Sequence, residues 1–529
     1  MTKTKNVWML SREYDGLAGA GGVKDVVRQL AWALVRSGRK VSVVLPGYGF
    51  IEPEKEGFAP LDFSLELDMD YTGEPRREFV RVFARQEKAA SGPGRLTTYL
   101  LDAARYLEKK SVYTYTAEDE AVNPFHRQGS GHYDYFAMNV LLAKAAAALI
   151  VRIGERPEII HCHDGHAALF PAMIRELEGF RHYFAASACV VTIHNAGLGY
   201  HQEVGDLPFA RAITGLPESL IAANLLDGKF DPFLAASAYA AMNTVSENYA
   251  RELRESDDDA MTGWLGHRLL ARGVLLKGIT NGINPADFDP ARPEALGLPA
   301  AFDPAAGDLA GKEKCRRQLI KELGQGGFAA VQQTGMLAWR PGLPLFTFVG
   351  RLSAQKGVDK LLGALETLLP LDRKFQVLIQ GSGGKEIEAA LARLAANPEH
   401  QGRICLLRGY DQKLANRIYA AGDFFLIPSR YEPCGLTDYI AQLFGNLPIV
   451  HHIGGLVKVK DGETGFAYLE HNSAALMGAM QRALHIFRDE PGRISAMQKA
   501  AVKEINENYT WDRVLTRYLA LYREAIEKL

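Results

Sequence analysis

The sequence predicts two α/β domains, each built on a parallel sheet with covering helices. Three observations carry this. The chain has 529 residues, and single cores stop growing near ~250–300 residues, so two large domains fit better than one. Short apolar runs alternate with stretches of helical spacing along most of the chain, the order of a parallel sheet and its crossover helices. Several of these runs end in glycine-rich or polar turns, and open α/β sheets place ligands at the carboxyl ends of strands.

Composition narrows the class. Apolar residues make up 47% and charged residues 23%, as in an ordinary soluble globular protein. A net charge of −1 argues against a generally basic nucleic-acid binder. The five cysteines (Cys162, Cys189, Cys315, Cys405, Cys434) are far apart and never spaced C-x-x-C, which suggests reduced thiols in a cytosolic protein. At the N-terminus only four successive apolar residues precede renewed charge, so no leader is expected. The longest apolar region, 141–151, is interrupted by Lys144 and falls short of the ~20 residues of a membrane span.

In the first half, residues 7–10 read as a short buried strand and 21–36 as a helix. Gly16-Leu-Ala-Gly-Ala-Gly-Gly22 lies between them, a turn that lets backbone approach a phosphate or sugar. Gly19-Ala-Gly21 supplies half of a dinucleotide fingerprint, but Lys24 stands where the third glycine belongs, and no acidic residue follows the second strand, 41–45. No P-loop occurs either, since Gly228-Lys229, Gly311-Lys312 and Gly384-Lys385 are each followed by Phe or Glu. Residues 51–135 are less periodic, with strands and long surface loops; 95–101 reads as a strand ending at Asp102, and 136–152 as a helix.

Ile159-Ile-His161-Cys-His163-Asp164-Gly-His166 is a strand running into a helix. His161 and His163 share one face of it, so zinc is one option, a structural loop another. The favoured reading puts Asp164 and a cleft-facing His166 at a strand end. Val190-Val-Thr-Ile-His194-Asn195 repeats the pattern. A strand-like stretch at 241–246 leads into a helix, and Lys277-Gly-Ile-Thr-Asn281-Gly ends in a strong turn signal.

Residues 285–304, rich in Pro, Ala, Gly and Asp, read as a linker between a domain at 1–284 and another at 305–508. The second domain opens with a strand at 345–349, then Arg351-Leu-Ser-Ala-Gln-Lys356-Gly357 and a helix over 358–369. Arg351 and Lys356 can reach one anion outside the sheet, an arginine fork and a lysine point charge suited to a diphosphate. Strands at 375–379 and 404–407 and a helix at 411–420 follow. The run 424–428 then leads into Ser429-Arg-Tyr-Glu432-Pro-Cys434-Gly435-Leu436-Thr437 and a helix to 444. Glu432 thus falls at a strand end, and Gly435 and Leu436 offer backbone N–H groups at a helix start. Helices at 473–487 and 493–508 precede a last amphipathic helix at 509–529, whose return to the first domain is one option.

These motifs resemble those of the bacterial glycogen synthases and plant starch synthases. The match takes in Gly21-Gly22-Val-Lys-Asp25-Val, His163-Asp164-Gly165-His166, Thr192-Ile-His194-Asn195, Asn243-Thr-Val-Ser246 and Gly278-Ile-Thr-Asn281-Gly. It continues through Phe348-Val-Gly-Arg351-Leu, Gln355-Lys356-Gly357-Val-Asp359, the 428–437 segment and Gly454-Gly455-Leu456. The resemblance implies a retaining transferase of GT-B fold, two Rossmann-like domains with parallel sheets facing a central cleft, where a nucleoside-diphosphate glucose binds. It implies that Arg351 and Lys356 hold the diphosphate, that Glu432 and the backbone of Cys434, Gly435, Leu436 and Thr437 hold the sugar, and that Gly21 and Gly22 lie beneath the phosphates. His166 and Asn281 would line the glucose side, and Asp164, His194 and Asn195 are further substrate-binding candidates; His166, Arg351, Lys356 and Glu432 carry the catalytic assignment. No metal and no cofactor are expected, because two basic side chains can meet the developing leaving-group charge. The expected partners are an ADP- or UDP-linked glucose and a glycogen or α-1,4-glucan acceptor in the cytoplasm, with no nucleic acid and no membrane.

Three departures from the family pattern stand out. Gly19-Ala20-Gly21-Gly22 lacks the family's lysine, and Lys24 is expected to point elsewhere on its helix. Gly165 replaces a tryptophan, and Lys458 replaces an aspartate in Gly454-Gly-Leu-Val-Lys458-Val. They leave open a non-catalytic glucan-binding relative, or a GT-B transferase with another acceptor.

Overall fold

The computed structural model describes residues 5–89 and 92–529; residues 1–4, part of the start read for a leader, lie outside them. The chain divides into two compact units, one of residues 1–282 and 511–529, the other of residues 283–510.

The first unit is a nine-stranded sheet. Its strands are β1 (Asn6–Leu10), β2 (Lys40–Pro46), β3 (Ala59–Asp68), β4 (Arg77–Lys88), β5 (Arg95–Asp102), β6 (Ile159–His163), β7 (Ala188–Ile193), β10 (Ala241–Thr244) and β11 (Lys277–Gly278), while β8 (Leu225–Leu226) and β9 (Lys229–Phe230) form a separate ribbon. The order is β11-β10-β7-β6-β1-β2-β5-β4-β3. All pairings from β11 to β5 are parallel, and β5-β4-β3 closes one edge antiparallel. β6 and β7 are buried along their whole length, as strands covered on both faces must be. β3 alternates exposed and buried residues, the mark of an antiparallel edge with one wet face.

The helix Val23–Arg36 buries Val26, Val27, Leu30 and Leu34, a stripe at helical spacing. The helix Tyr135–Arg152 is the one described helix long and apolar enough to cross a membrane, and 72% of it is buried inside the unit. It is a core helix: Lys144, which breaks its apolar run, donates to Asp68 O at 2.7 Å. The last helix, Trp511–Glu527, belongs to this unit. Its Tyr522 hydroxyl lies 2.9 Å from His161 Nδ1, and Trp511 Nε1 donates to Gln29. A side chain at Gly282 would come within 2.9 Å of the Trp511 ring.

The second unit holds β12 (Gln332–Leu337), β13 (Leu345–Val349), β14 (Gln376–Gly381), β15 (Arg403–Arg408), β16 (Phe424–Ile427), β17 (Leu447–His451) and β18 (Phe466–Tyr468). They run β12-β15-β14-β13-β16-β17-β18, parallel except for β12. Successive residues of β16 point to opposite faces: Phe424 and Leu426 enter one core layer, Phe425 and Ile427 the other. Residues 285–304 are not a free linker. Leu296, Leu298 and Phe302 are buried in this unit's core, with Phe302 6.4 Å from Phe444, ring to ring.

Candidate functional site

The second unit's order sets two loops side by side. β13 and β16 are adjacent and parallel, so the segments after them, 350–357 and 428–437, leave the same edge of the sheet. A backbone bond from Arg430 N to Gln355 O, 2.9 Å, ties them. Gly357 makes the turn at φ +67 and lies so close to Pro428 that an added Cβ would sit 1.8 Å from Pro428 O. The glycines at the end of β14 and just beyond it are spent in the same way: Cβ atoms at Gly381 and Gly383 would each meet carbonyls of the 350–352 segment at 1.9 Å.

At this junction Lys356 Nζ donates to Glu432 Oε2 at 2.6 Å, and the Ser429 hydroxyl donates to the same oxygen at 2.9 Å. The Glu432 side chain is 14% exposed. Burial pushes its carboxyl up, but the charges of Lys356 and Lys458 and the two hydrogen bonds prevail, holding it below the usual carboxylate range. Glu432 therefore stays ionised at neutral pH. Arg351 is exposed, with its guanidinium 3.2 Å from Gln355 Oε1.

Below the 432–436 loop lies Gly454-Gly455. Cβ atoms there would strike Glu432 O at 2.1 Å and Cys434 O at 2.0 Å, so only glycine allows the two backbones to close. Cys434 and Gly435 are buried, Gly435 at φ +72. The helix that follows is Thr437–Leu443 with Leu436 at its cap.

In the first unit, β6 runs directly into Asp164, one of four described non-glycine residues with positive φ, at +58; aspartate tolerates that region better than most side chains. Its Oδ1 accepts from His194 N at 2.7 Å and Asn195 N at 3.4 Å. Burial nevertheless pushes the carboxyl up to about 8. His163 Nδ1 faces His194 Nε2 at 2.9 Å. His161, stacked on His163 at 4.2 Å, has its ring nitrogens on Tyr522 and Thr192. Among the described residues no group of three His, Cys, Asp or Glu could hold a metal ion.

His166 is 4% exposed and stacks on Tyr113 at 4.9 Å, so its ring is buried rather than open. Burial, then the charge of Arg12, holds His166 well below its ordinary pKa, and burial alone holds His194 at about 3. Both are neutral imidazoles at physiological pH. Asn281 is 4% exposed, and its Oδ1 has no hydrogen-bond partner among the described residues. Such an orphan acceptor calls for a polar ligand or water. Asn195 differs: its Oδ1 closes a turn by accepting from Gly197 N at 2.8 Å.

The glycine-rich turn is also occupied. Gly21 and Gly22 are exposed, but Glu13 Oε2 accepts from Ala20 N at 2.7 Å and Gly21 N at 2.9 Å. Glu13 Oε1 accepts the Tyr113 hydroxyl at 2.6 Å. Glu13 and Tyr113 thus join the turn to His166, and neither was singled out above; the available signal is an acidic residue set between a buried strand and a glycine run. Lys24 does not point away as expected. Its stem lies across Gly19, where a Cβ would meet Lys24 Cδ at 2.2 Å, and its Nζ sits 3.0 Å from both Asp15 and Asp25. Gly19 is what makes room for it.

Gly165 has an equally concrete cause. An added Cβ would lie 2.3 Å from His201 O and 2.7 Å from Tyr200 O, and His201 is locked by Asp231 and Ala196 O, each at 2.7 Å. Gly165→Ala is expected to destabilise the unit by about 1–3 kcal/mol through overpacking. Thermal melting checks this, and an unchanged midpoint would show that the Tyr200–His201 backbone yields.

The chain matches known proteins along its length. The starch synthase catalytic domain model covers residues 6–267, and the glycosyl transferases group 1 model residues 343–485. A glycogen synthase of Anaeromyxobacter dehalogenans is 34% identical over 514 residues, 95% of each chain. One of Syntrophotalea carbinolica is 30% identical over 539 residues, 99% of each. Among solved structures, the catalytic domain of starch synthase IV from Arabidopsis thaliana, bound to ADP and acarbose, shares the fold with a TM-score of 0.78. It is 24% identical and the match covers 99% of this chain and 100% of that one.

Proposed function

This chain belongs to the glycogen synthase family of glycosyltransferases, and on that footing we propose that it moves glucose from ADP-glucose or UDP-glucose onto the non-reducing end of an α-1,4-glucan, with retention of configuration. The observation that carries the reading is the Lys356–Glu432 pair, joined at 2.6 Å where the loops after β13 and β16 meet. A diphosphate arriving there offers Lys356 a stronger partner than Glu432, and Arg351, on the same segment after β13, supplies a second cation. Glu432, freed and ionised, then accepts sugar hydroxyls, with the 434–437 backbone supplying donors. As the nucleotide departs, negative charge grows on its outer phosphate, and fixed cations stabilise that charge more than the ground state.

His166, Asp164, His194, Asn195 and Asn281 are proposed for the glucose side. Among them the oxygen of Asn281, unpartnered among the described residues, is the best support. The ADP held by the starch synthase IV structure supports ADP-glucose as the first donor to test. Five buried cysteines, none in a disulfide among the described residues, support a cytoplasmic setting.

A donor panel with glycogen as primer tests the reading. Glucose incorporation from ADP-glucose or UDP-glucose is expected, with one preferred. Glycogen binding without transfer from either would favour the second reading, a non-catalytic glucan binder. That alternative is supported by Glu13 occupying the Gly21 N–H and by the lysine missing at Gly19.

A further inference from the structure

We propose that Lys458 is a positioning residue of the donor site, pinning the 434–436 backbone so that the Gly435 and Leu436 N–H groups face the ligand. The inference rests on the reading of this loop as sugar-binding.

The Lys458 side chain is 6% exposed. Its Nζ lies 2.5 Å from Cys434 O, 3.0 Å from Gly435 O and 3.0 Å from Gly455 O. An ammonium carries three hydrogens, and three carbonyls take them. Asp438, fully buried, places Oδ2 3.1 Å from the same nitrogen, an ion pair within the same enclosure. It serves as counter-charge. The Tyr439 ring, 4.5 Å from Nζ, completes the enclosure.

The consequence follows from peptide geometry. In a planar trans peptide the N–H points opposite to the C=O it is conjugated with, and no described peptide is cis. Drawing the Cys434 and Gly435 carbonyls onto one ammonium therefore aims the Gly435 and Leu436 N–H groups away from it. Charge on a carbonyl oxygen also polarises the amide and strengthens its N–H as a donor. The restraint matters at this spot because Gly435, at φ +72, has few steric limits of its own. The third carbonyl, Gly455 O, ties the loop to the turn packed beneath it.

The rival role for Lys458 is plain neutralisation of Asp438, and a pair of variants separates the two. Lys458→Met keeps the stem and removes the charge; Lys458→Met/Asp438→Asn also removes the carboxylate, leaving no buried unpaired charge. In the full chain, pinning predicts that both variants melt cooperatively and lose about 10²-fold in kcat, the scale of a misplaced donor group. ADP and UDP titrated by calorimetry are expected to bind more weakly to both. Recovery of wild-type kcat and donor KM by the double variant overturns the proposal, as does unchanged turnover in folded Lys458→Met. If the single variant does not fold, the double variant decides. A wild-type chain that neither transfers glucose nor binds nucleotide overturns the donor reading and takes the pinning with it, whereas an active wild type with an active double variant overturns the pinning alone.

Discussion

Lys356→Ala is expected to lower kcat by about 10²–10³, a loss of roughly 2.7–4 kcal/mol in transition-state stabilisation, the scale of removing one preorganised donor. The structure adds a second, independent consequence. Lys356 is the nearest charge holding Glu432 ionised against burial. Without it the Glu432 pKa rises, so the fraction ionised falls at the acid end and the acid limb of the kcat/KM profile moves to higher pH. Glu432→Gln, which has no ionisation to lose, is expected to remove that limb. Steady-state kinetics across pH check both. Near-wild-type turnover in Lys356→Ala would remove Lys356 from the chemistry.

Gly357→Ala is the second large effect, and it acts through backbone. An alanine there must adopt φ +67 with its Cβ 1.8 Å from Pro428 O. The left-handed conformation costs about 1–2 kcal/mol, and overpacking adds about 1–3 kcal/mol. Relief can come only by parting the loops that bring Lys356 to Glu432. Stability and kcat are therefore expected to fall together, with donor KM rising. Denaturant melts and kinetics on the same preparation check this. A variant with wild-type stability and activity would show that the contact between these loops is dispensable.

What could be read in advance follows from which physics is local. The strand-to-helix order of both units was legible because β6, β7, β13 and β16 are short, fully buried runs followed by helical spacing. Glu432, Lys356 and Arg351 were found as strand-end residues, since parallel sheets put such ends on one edge. Their pairing was not legible: that β13 and β16 are neighbours is a matter of topology, not of sequence distance. The antiparallel edge of β3 and β4 was only loosely anticipated, because one face is wet and its apolar residues are sparse. Residues 285–304 looked like a linker because their anchors, Leu296, Leu298 and Phe302, follow no period.

The glycines show the same limit. Gly19 read as a missing lysine, but it is the space that Lys24 fills. Gly165 read as a lost apolar side chain, but the Tyr200–His201 backbone stands in its place. Glu13, Tyr113 and Lys458 act through partners up to 100 residues away in sequence, which no local pattern reveals.

The central claim is that the loops after β13 and β16 receive the donor's diphosphate. A structure of the chain with ADP or UDP bound tests it most directly. The account predicts phosphate oxygens within hydrogen-bond distance of the Arg351 guanidinium and Lys356 Nζ, with the Lys356–Glu432 bond opened or shared. A diphosphate seated away from both residues, with that bond intact, would contradict it.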